Sequence, residues 1–199
     1  MPDDEDDFDF DDVDDDFELP TTDSPSGLHP LNTYGHALLA RILPTTTESV
    51  HDWASRLREN VPQVRFGQVL TSQLRHEIEA KLGQTIPEPL DAIWAAAPGI
   101  FLDYDSFLWS PESFLKENSL YEDHMPEIFG TMVFFGGFDG FNGAVSLDGI
   151  DPTAYYWSHE EGFTGQKCPD IASYVAEHIA WYATTFQPFC FEHGYVPEP

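Results

Sequence analysis

The chain of 199 residues carries eight His, two Cys and 36 carboxylates, so metal binding, acid–base work and thiol chemistry are the first functions to test against spacing. Zinc ligation finds little support. There is no HExxH, no pair of His at ligand spacing and no CxxC, and Cys190-x-x-His193 is the nearest approach to a half-site. Nucleophilic catalysis fares no better, because a GxSxG elbow is absent and neither Ser146 nor Cys168 has the flanking residues of a nucleophile motif. Asp139 and Asp148 could form a carboxylate pair, yet each precedes Gly in a hairpin-turn position, where Asp is usually structural. Gly136-Gly137-Phe138-Asp139-Gly140 lacks the Lys and the following helix of a phosphate loop. His178 lies one helical turn after Tyr174 and reads as packed or partly exposed, and His159-Glu160-Glu161 reads as a polar loop. No catalytic residue, metal site or cofactor is expected, and the chain reads as a non-enzyme.

Binding is a different matter. Twelve of the first eighteen residues are Asp or Glu, none is basic, and Phe8, Phe10 and Phe17 are threaded among them. Such a run cannot build a core, and it reads as a disordered tail. It serves either as a solubilising extension or as a contact for a basic partner. Pure solubility needs no Phe, so Asp6, Asp7, Phe8, Asp9, Phe10, Asp11, Asp12 and Phe17 are candidate partner-binding residues. Acidic–aromatic alternation also occurs in transcriptional activation segments, which keeps a regulatory role open. An EF-hand is excluded, since the run has no Gly for the sixth loop position.

The tail supplies 12 of the 28 net negative charges and leaves 16 on residues 19–199, so the body is acidic in its own right. With only eight Lys and Arg, direct binding to nucleic acid or to an anionic membrane is disfavoured. A basic protein is the partner this charge favours. No apolar run of about 18 residues exists. The N-terminus lacks the features of a secretory signal. Two Cys without a CxxC fit a reducing cytoplasm, with a single Cys168–Cys190 bridge left open.

The elements that must position any site follow from periodicity. Residues 1–27 read as acidic tail and linker, and 28–69 as an N-terminal helical extension with a first helix at about 32–43. Thr45 and Glu48 have capping-box spacing ahead of Val50, Trp53, Ala54 and Leu57. A helix over 73–82 is capped by Ser72 and stopped by Gly83, and another begins at Pro89 with Leu90, Ile93 and Trp94 inward. Short strands follow at 100–103 and 107–109, then a brief helix from Ser110-Pro111 through Phe114 and Leu115. Further strands at 132–135, 144–147 and 154–157 are separated by Gly136-Gly137, Asp139-Gly140, Asn142-Gly143 and Asp148-Gly149, read as hairpin turns. Asp170 caps a last helix with Ile171, Tyr174, Val175, Ile179 and Tyr182 inward. The fold class expected is α+β: an antiparallel sheet of four to six strands flanked by helices.

This order resembles the SUKH superfamily of bacterial toxin-immunity proteins, which also takes in a fungal regulator of cell-wall synthesis. The resemblance rests first on Glu77-Ile78-Glu79-Ala80-Lys81-Leu82-Gly83-Gln84-Thr85-Ile86-Pro87-Glu88-Pro89-Leu90. It continues through Ser110-Pro111-Glu112, Phe134-Phe135-Gly136-Gly137-Phe138-Asp139-Gly140, Ala144-Val145-Ser146-Leu147-Asp148, Tyr155-Tyr156-Trp157-Ser158-His159 and the closing helix at 171–182. It spans roughly residues 70–185 within a SUKH-like domain at 70–199. Ala97-Pro98-Gly99 departs from the family's Asn-Gly-Gly type of turn, and residues 1–69 lie outside the match. What the resemblance implies is neutralisation of a cognate toxin by stoichiometric protein–protein binding; the charge adds that the toxin is basic, such as a nuclease domain. A regulatory scaffold like the fungal branch, its tail recruiting partners, is the alternative. By alternation Tyr155-Tyr156-Trp157 is mostly core, and the two readings of its other face are core packing or exposure beside Phe138 and Phe141; on the second reading Phe138, Asp139, Phe141, Tyr156, Trp157, His159, Glu160 and Glu161 are the further candidate partner-binding residues.

Overall fold

The computed structural model describes residues 31–186 apart from 104, 125–127 and 139. Among them lie six α-helices and two antiparallel sheets, the α+β architecture that the alternation of helical and strand periods predicts. β1 (Arg65–Phe66), β2 (Ile100–Leu102) and β3 (Asp105–Leu108) form one sheet; β4 (Met132–Phe138), β5 (Phe141–Ser146), β6 (Ala154–Ser158) and β7 (Gly162–Cys168) form the other. Each sheet follows chain order. The two meet where the Trp109 N–H, just past β3, donates to the Phe135 carbonyl of β4 at 2.8 Å.

That seam explains a departure from the turn reading. Gly136-Gly137 lies inside β4 and Asn142-Gly143 inside β5; neither is a turn. A Cβ at Gly136 would stand 2.3 Å from the Phe107 carbonyl oxygen, so only glycine lets β3 come this near. A Cβ at Gly143 would meet the Phe135 ring at 2.3 Å. Here Gly marks close approach within a sheet, the other meaning of Gly in a strand. The turn reading does hold at Gly140, whose φ of +78° lies between Phe138 and Phe141, the pair closing the β4–β5 hairpin.

Helices cover both faces of the larger sheet. α6 (Ile171–Trp181) is buried over residues 171–180, and its Tyr174 ring lies 5.0 Å from Phe135 and 4.7 Å from Tyr156. Asp170 caps it by accepting the Ser173 N–H at 2.7 Å, as expected. α1 (Thr33–Ile42), α2 (Val50–Asn60) and α4 (Glu88–Ala96) complete that side, and their buried Leu39, Ile42, Trp53, Leu57, Leu90, Ile93 and Trp94 join one apolar core. The indole N–H of Trp53 reaches the Ile42 carbonyl at 2.7 Å, and that of Trp94 the Trp109 carbonyl at 3.0 Å. α3 (Ser72–Leu82) ends at Gly83 with φ +69°, but its cap is Thr71, one residue before the Ser72 expected. The Thr45/Glu48 pair closes a turn just ahead of α2; the helix itself is capped by Ser49.

The opposite face belongs to α5 (Pro111–His124), fourteen residues long where a brief helix was expected. Asn118 is what hides its length in the sequence. It places a polar residue between Phe114 and Tyr121, and it is 4 % exposed. Its amide donates to the Phe134 carbonyl at 2.8 Å, and its oxygen accepts the Phe134 N–H at 3.1 Å. One side chain thus stands in for a neighbouring strand along this part of β4. β7 was also missed, since Gly-Phe-Thr-Gly-Gln-Lys-Cys is polar and its burial alternates as in an edge strand.

Replacing Asn118 with Leu would strand two buried backbone groups, each costing about 1–3 kcal/mol. Urea unfolding of Asn118→Leu is expected to give a stability at least about 2 kcal/mol below that of the parent chain. A second expectation concerns Glu48, whose carboxyl is held below the ordinary carboxylate range by the hydrogen bond from Arg56. A lowered folded-state pKa contributes stability that is present above the unfolded value and is lost as pH falls through the folded one. The urea midpoint of Glu48→Gln should therefore lie below that of the parent at about pH 7 and converge with it near pH 3.

Candidate functional site

Three turns gather at one end of the joined sheets. Phe138 pairs with Phe141, Phe141 with Ser158, and Ser158 with Gly162, so the β4–β5 tip lies beside the turn that carries His159, Glu160 and Glu161. Across the seam β3 starts at Asp105, following Asp103, which takes the left-handed φ of 53° that Asp tolerates better than most residues. Between them is a shallow depression of about 290 Å³, lined by Asp105, Trp109, Tyr121, Phe141, Asn142 and His159 and by the backbone of Gly137 and Gly140.

Its interior is polar on an aromatic frame. The Asn142 amide donates to the Tyr121 hydroxyl at 3.1 Å, and that hydroxyl lies 3.4 Å from Nε2 of His159. With Asn142 as donor, the Tyr121 hydroxyl oxygen accepts and its proton is left for another partner. The Tyr121 ring stacks on Trp109 at 6.2 Å and meets Trp157 edge-on at 6.1 Å; the His159 ring lies 4.8 Å from Trp157. Asp103 accepts the Tyr182 hydroxyl at 3.3 Å. Burial, and then the charge and hydrogen bonding of Asp105 and Asp103, push the Tyr182 phenol well up. Ser158 organises the rim by accepting the backbone N–H of Glu160 at 3.1 Å. No Lys or Arg lines the depression.

The residues expected at a contact surface differ in exposure. His159, Glu160 and Glu161 are exposed and Phe141 is half-buried. Phe138, Tyr156 and Trp157 do not stand on the surface: they are 7 %, 0 % and 5 % exposed. The reason is that helices cover the sheet on both sides. Tyr156 faces Tyr174 on α6, Trp157 lies against Tyr121 on α5, and Phe138 is closed in by Phe107, Trp181 and Tyr182. Asp139 and the tail residues Asp6, Asp7, Phe8, Asp9, Phe10, Asp11, Asp12 and Phe17 lie outside the described residues, as do Cys190 and His193. The site gains Asp105, Trp109, Tyr121 and Asn142, which the motif search missed. Tyr121 was legible from its spacing of seven after Phe114, had the helix been carried through Asn118.

The remaining chemistry-bearing groups lie outside the lining of the depression. Asp148 is exposed, follows β5, and accepts the Ile150 N–H at 3.0 Å, so strand β5 separates it from the turn before Phe141. Cys168, the last residue of β7, is buried, its sulfur 3.4 Å from the Tyr156 hydroxyl and 3.6 Å from Glu177. Burial pushes its thiol up to about 12, the opposite of what a nucleophile needs. His178 is fully buried, packed on Tyr174 with ring centroids 4.3 Å apart. Burial likewise drives the Tyr156 and Tyr174 phenols well up. Among the described residues no group of three His, Cys, Asp or Glu is placed to hold a metal ion, and no helix is long and apolar enough to cross a membrane.

A larger cleft of about 480 Å³ opens where α2, α4 and α6 begin, beside the 149–152 loop. Val50, Ile93, Ile150 and Ile171 line it with three carboxylates, of which Glu48 holds Arg56 and Asp170 caps α6, while Glu88 stands exposed at the start of α4. It presents apolar area without an acid–base pair.

No protein-family model matches the chain, and no curated protein matches it.

The burial of Cys168 has a direct chemical readout. With Cys190 replaced by Ser, alkylation by iodoacetamide at about pH 8 is expected to run roughly a thousandfold slower in the folded chain than in urea. Mass spectrometry follows the reaction, and equal rates would contradict the packing described.

Proposed function

We propose that this protein is a non-catalytic binding protein that captures a basic toxin, such as a nuclease domain, in the cytoplasm and neutralises it stoichiometrically. The observation that carries this reading is the acidity of the three-turn end, where carboxylates outnumber the one guanidinium, that of Arg65, which donates to the Asp103 carbonyl. Asp105 lines the depression, Asp103 lies just before β3, Glu160 and Glu161 follow His159 in the adjoining turn, and no Lys or Arg is in the lining. Four of the eight Lys and Arg pair with carboxylates of the chain itself. Arg56 binds Glu48, Arg75 binds Asp91 at 2.6 Å, Lys81 binds Glu122, and Lys116 lies 3.8 Å from Glu117. The remaining negative field acts outward.

Such a field competes with nucleic-acid phosphates for a basic cleft and accelerates encounter, by about 10–10³-fold for steered association. Half-buried Phe141 and the 45 %-exposed Phe163 of β7 offer apolar contact beside the carboxylates, which slows dissociation. The burial of Cys168 and His178 supports occupancy over turnover, since neither side chain reaches solvent where a substrate could meet it. The resemblance of residues 70–185 to the SUKH superfamily supports neutralisation as the purpose of binding, and the acidic run at 1–18 adds range to the attraction.

Co-expression with the product of the adjacent open reading frame is the test. Growth inhibited by that product should be rescued by the full chain, and removal of residues 1–27 should slow association and flatten its dependence on salt. Absence of rescue would contradict neutralisation. Association unchanged by the truncation at low and high salt would restrict the tail to solubility.

A further inference from the structure

The cations of this chain are unevenly placed. Residues 31–71 carry four Arg against three carboxylates, whereas 72–186 carry four cations against eighteen. Arg56, Arg75, Lys81 and Lys116 pair with carboxylates, and Lys167 acts on Asp151. The other three, Arg41, Arg58 and Arg65, are exposed and pair with no carboxylate among the described residues. They stand on consecutive elements, Arg41 in the last turn of α1, Arg58 on α2 and Arg65 in β1. The elements touch there. Arg56 of α2 donates to the Arg41 carbonyl, and the Arg58 guanidinium lies 3.8 Å over the Phe66 ring of β1. Tyr34 and Val69, 80 % and 71 % exposed, belong to the same stretch.

We propose that this α1–α2–β1 surface is the dock for the chain's own acidic run at 3–18. The run lies outside the described residues and carries twelve carboxylates with Phe8, Phe10 and Phe17. Its chemistry matches the surface twice, since carboxylates pair with guanidinium forks and Phe finds apolar contact at Tyr34 and Val69. Reach is sufficient. The run joins the body at Leu31 through residues 19–30, a linker with a contour of about 40 Å. Tethering holds such a segment at an effective concentration on the order of millimolar. The rest of the described body repels the run, with eighteen carboxylates against four cations. A free polyanion would meet the same three Arg untethered and against the whole charge of -28. Asp52 and Glu59 are the opposing charges on the exposed face of α2, and Asp52 already accepts the Ser49 hydroxyl at 2.7 Å. Arg65 gives one nitrogen to the Asp103 carbonyl and keeps its other donors, so Arg41 and Arg58 are the centre of the dock. A basic partner that draws on the run must exchange its own cations for these Arg. The contact itself does not rest on the capture reading.

The test is paramagnetic broadening of amide NMR signals in the full chain. A nitroxide is attached through Val13→Cys, which keeps every tail carboxylate, with Cys190→Ser and with Cys168 protected by burial. At about 20 mM salt, signals around Arg41, along 51–60 and at 65–69 should lose at least half their intensity, and those of the 147–153 loop should not. At about 0.5 M salt, where screening acts within about 4 Å, the losses should fall severalfold. Arg41→Gln with Arg58→Gln should reduce them too. Because that pair removes the Phe66 stack, a second variant leaves the body untouched: Asp9, Asp11, Asp12, Asp14 and Asp15 all changed to Asn should reduce the same losses. Even broadening over the whole surface, broadening centred elsewhere, or a pattern indifferent to salt and to the Asn changes would overturn the proposal. Signals unmoved by the label but shifted by an added poly-Asp peptide would also overturn it, by assigning the surface to an external anion.

Discussion

Gly136 lies so near the Phe107 carbonyl that a Cβ there would stand 2.3 Å from its oxygen, and this contact sets how the two sheets join. The Trp109 N–H locks the join from the other side of the crossing by donating to Phe135. Everything at the acidic end depends on it. The seam brings Asp105 at the start of β3 next to Gly137 and Phe138, and it places Trp109 where Tyr121 can stack on it. Asn118 secures the same strand by holding both backbone groups of Phe134, one residue before Phe135. A small change in β4 would therefore reach the surface as a displaced depression, although no residue of the contact is itself exposed.

Covering the larger sheet on both faces has a second consequence. A sheet open on one side would offer a broad aromatic surface for docking. Here α5 and α6 take both faces, so Tyr156, Trp157 and Phe135 contribute to the core and not to recognition. The tips are what remain. Tips present backbone polarity, carboxylates and single rings, a mixture suited to a polar, charged partner. The buried Tyr156–Cys168–Glu177 group is the polar remnant beneath that sheet, closed off from solvent by β7 and α6.

Much of this was legible in the sequence. The inward residues of α2, α4 and α6 recur at helical spacing, and Asp170 and Gly83 take the capping roles their types suggest. The misreadings have physical causes. Gly136-Gly137 and Asn142-Gly143 look like turns because glycine chemistry is the same for a reversal and for close approach, and only neighbours distant in sequence tell them apart. Asn118 breaks the apolar stripe of α5, yet it is buried because it bonds a strand. With α5 cut short, Tyr121 disappeared from view, and Trp157 was assigned to the surface that Tyr121 in fact covers. His159, Glu160 and Glu161 stand in an exposed turn after β6, the polar loop that a charged tripeptide after an aromatic strand suggests.

The central claim is that a basic partner engages the end of the fold built by the three turns. Amide hydrogen exchange on the full chain, with and without the co-expressed partner, tests it most directly. Slowed exchange around residues 103–109, 137–142 and 157–163, with little change at the 147–153 loop on the opposite end of β5, is the result the account requires. Protection confined to residues 1–30, or centred on the cleft beside the 149–152 loop, would contradict it.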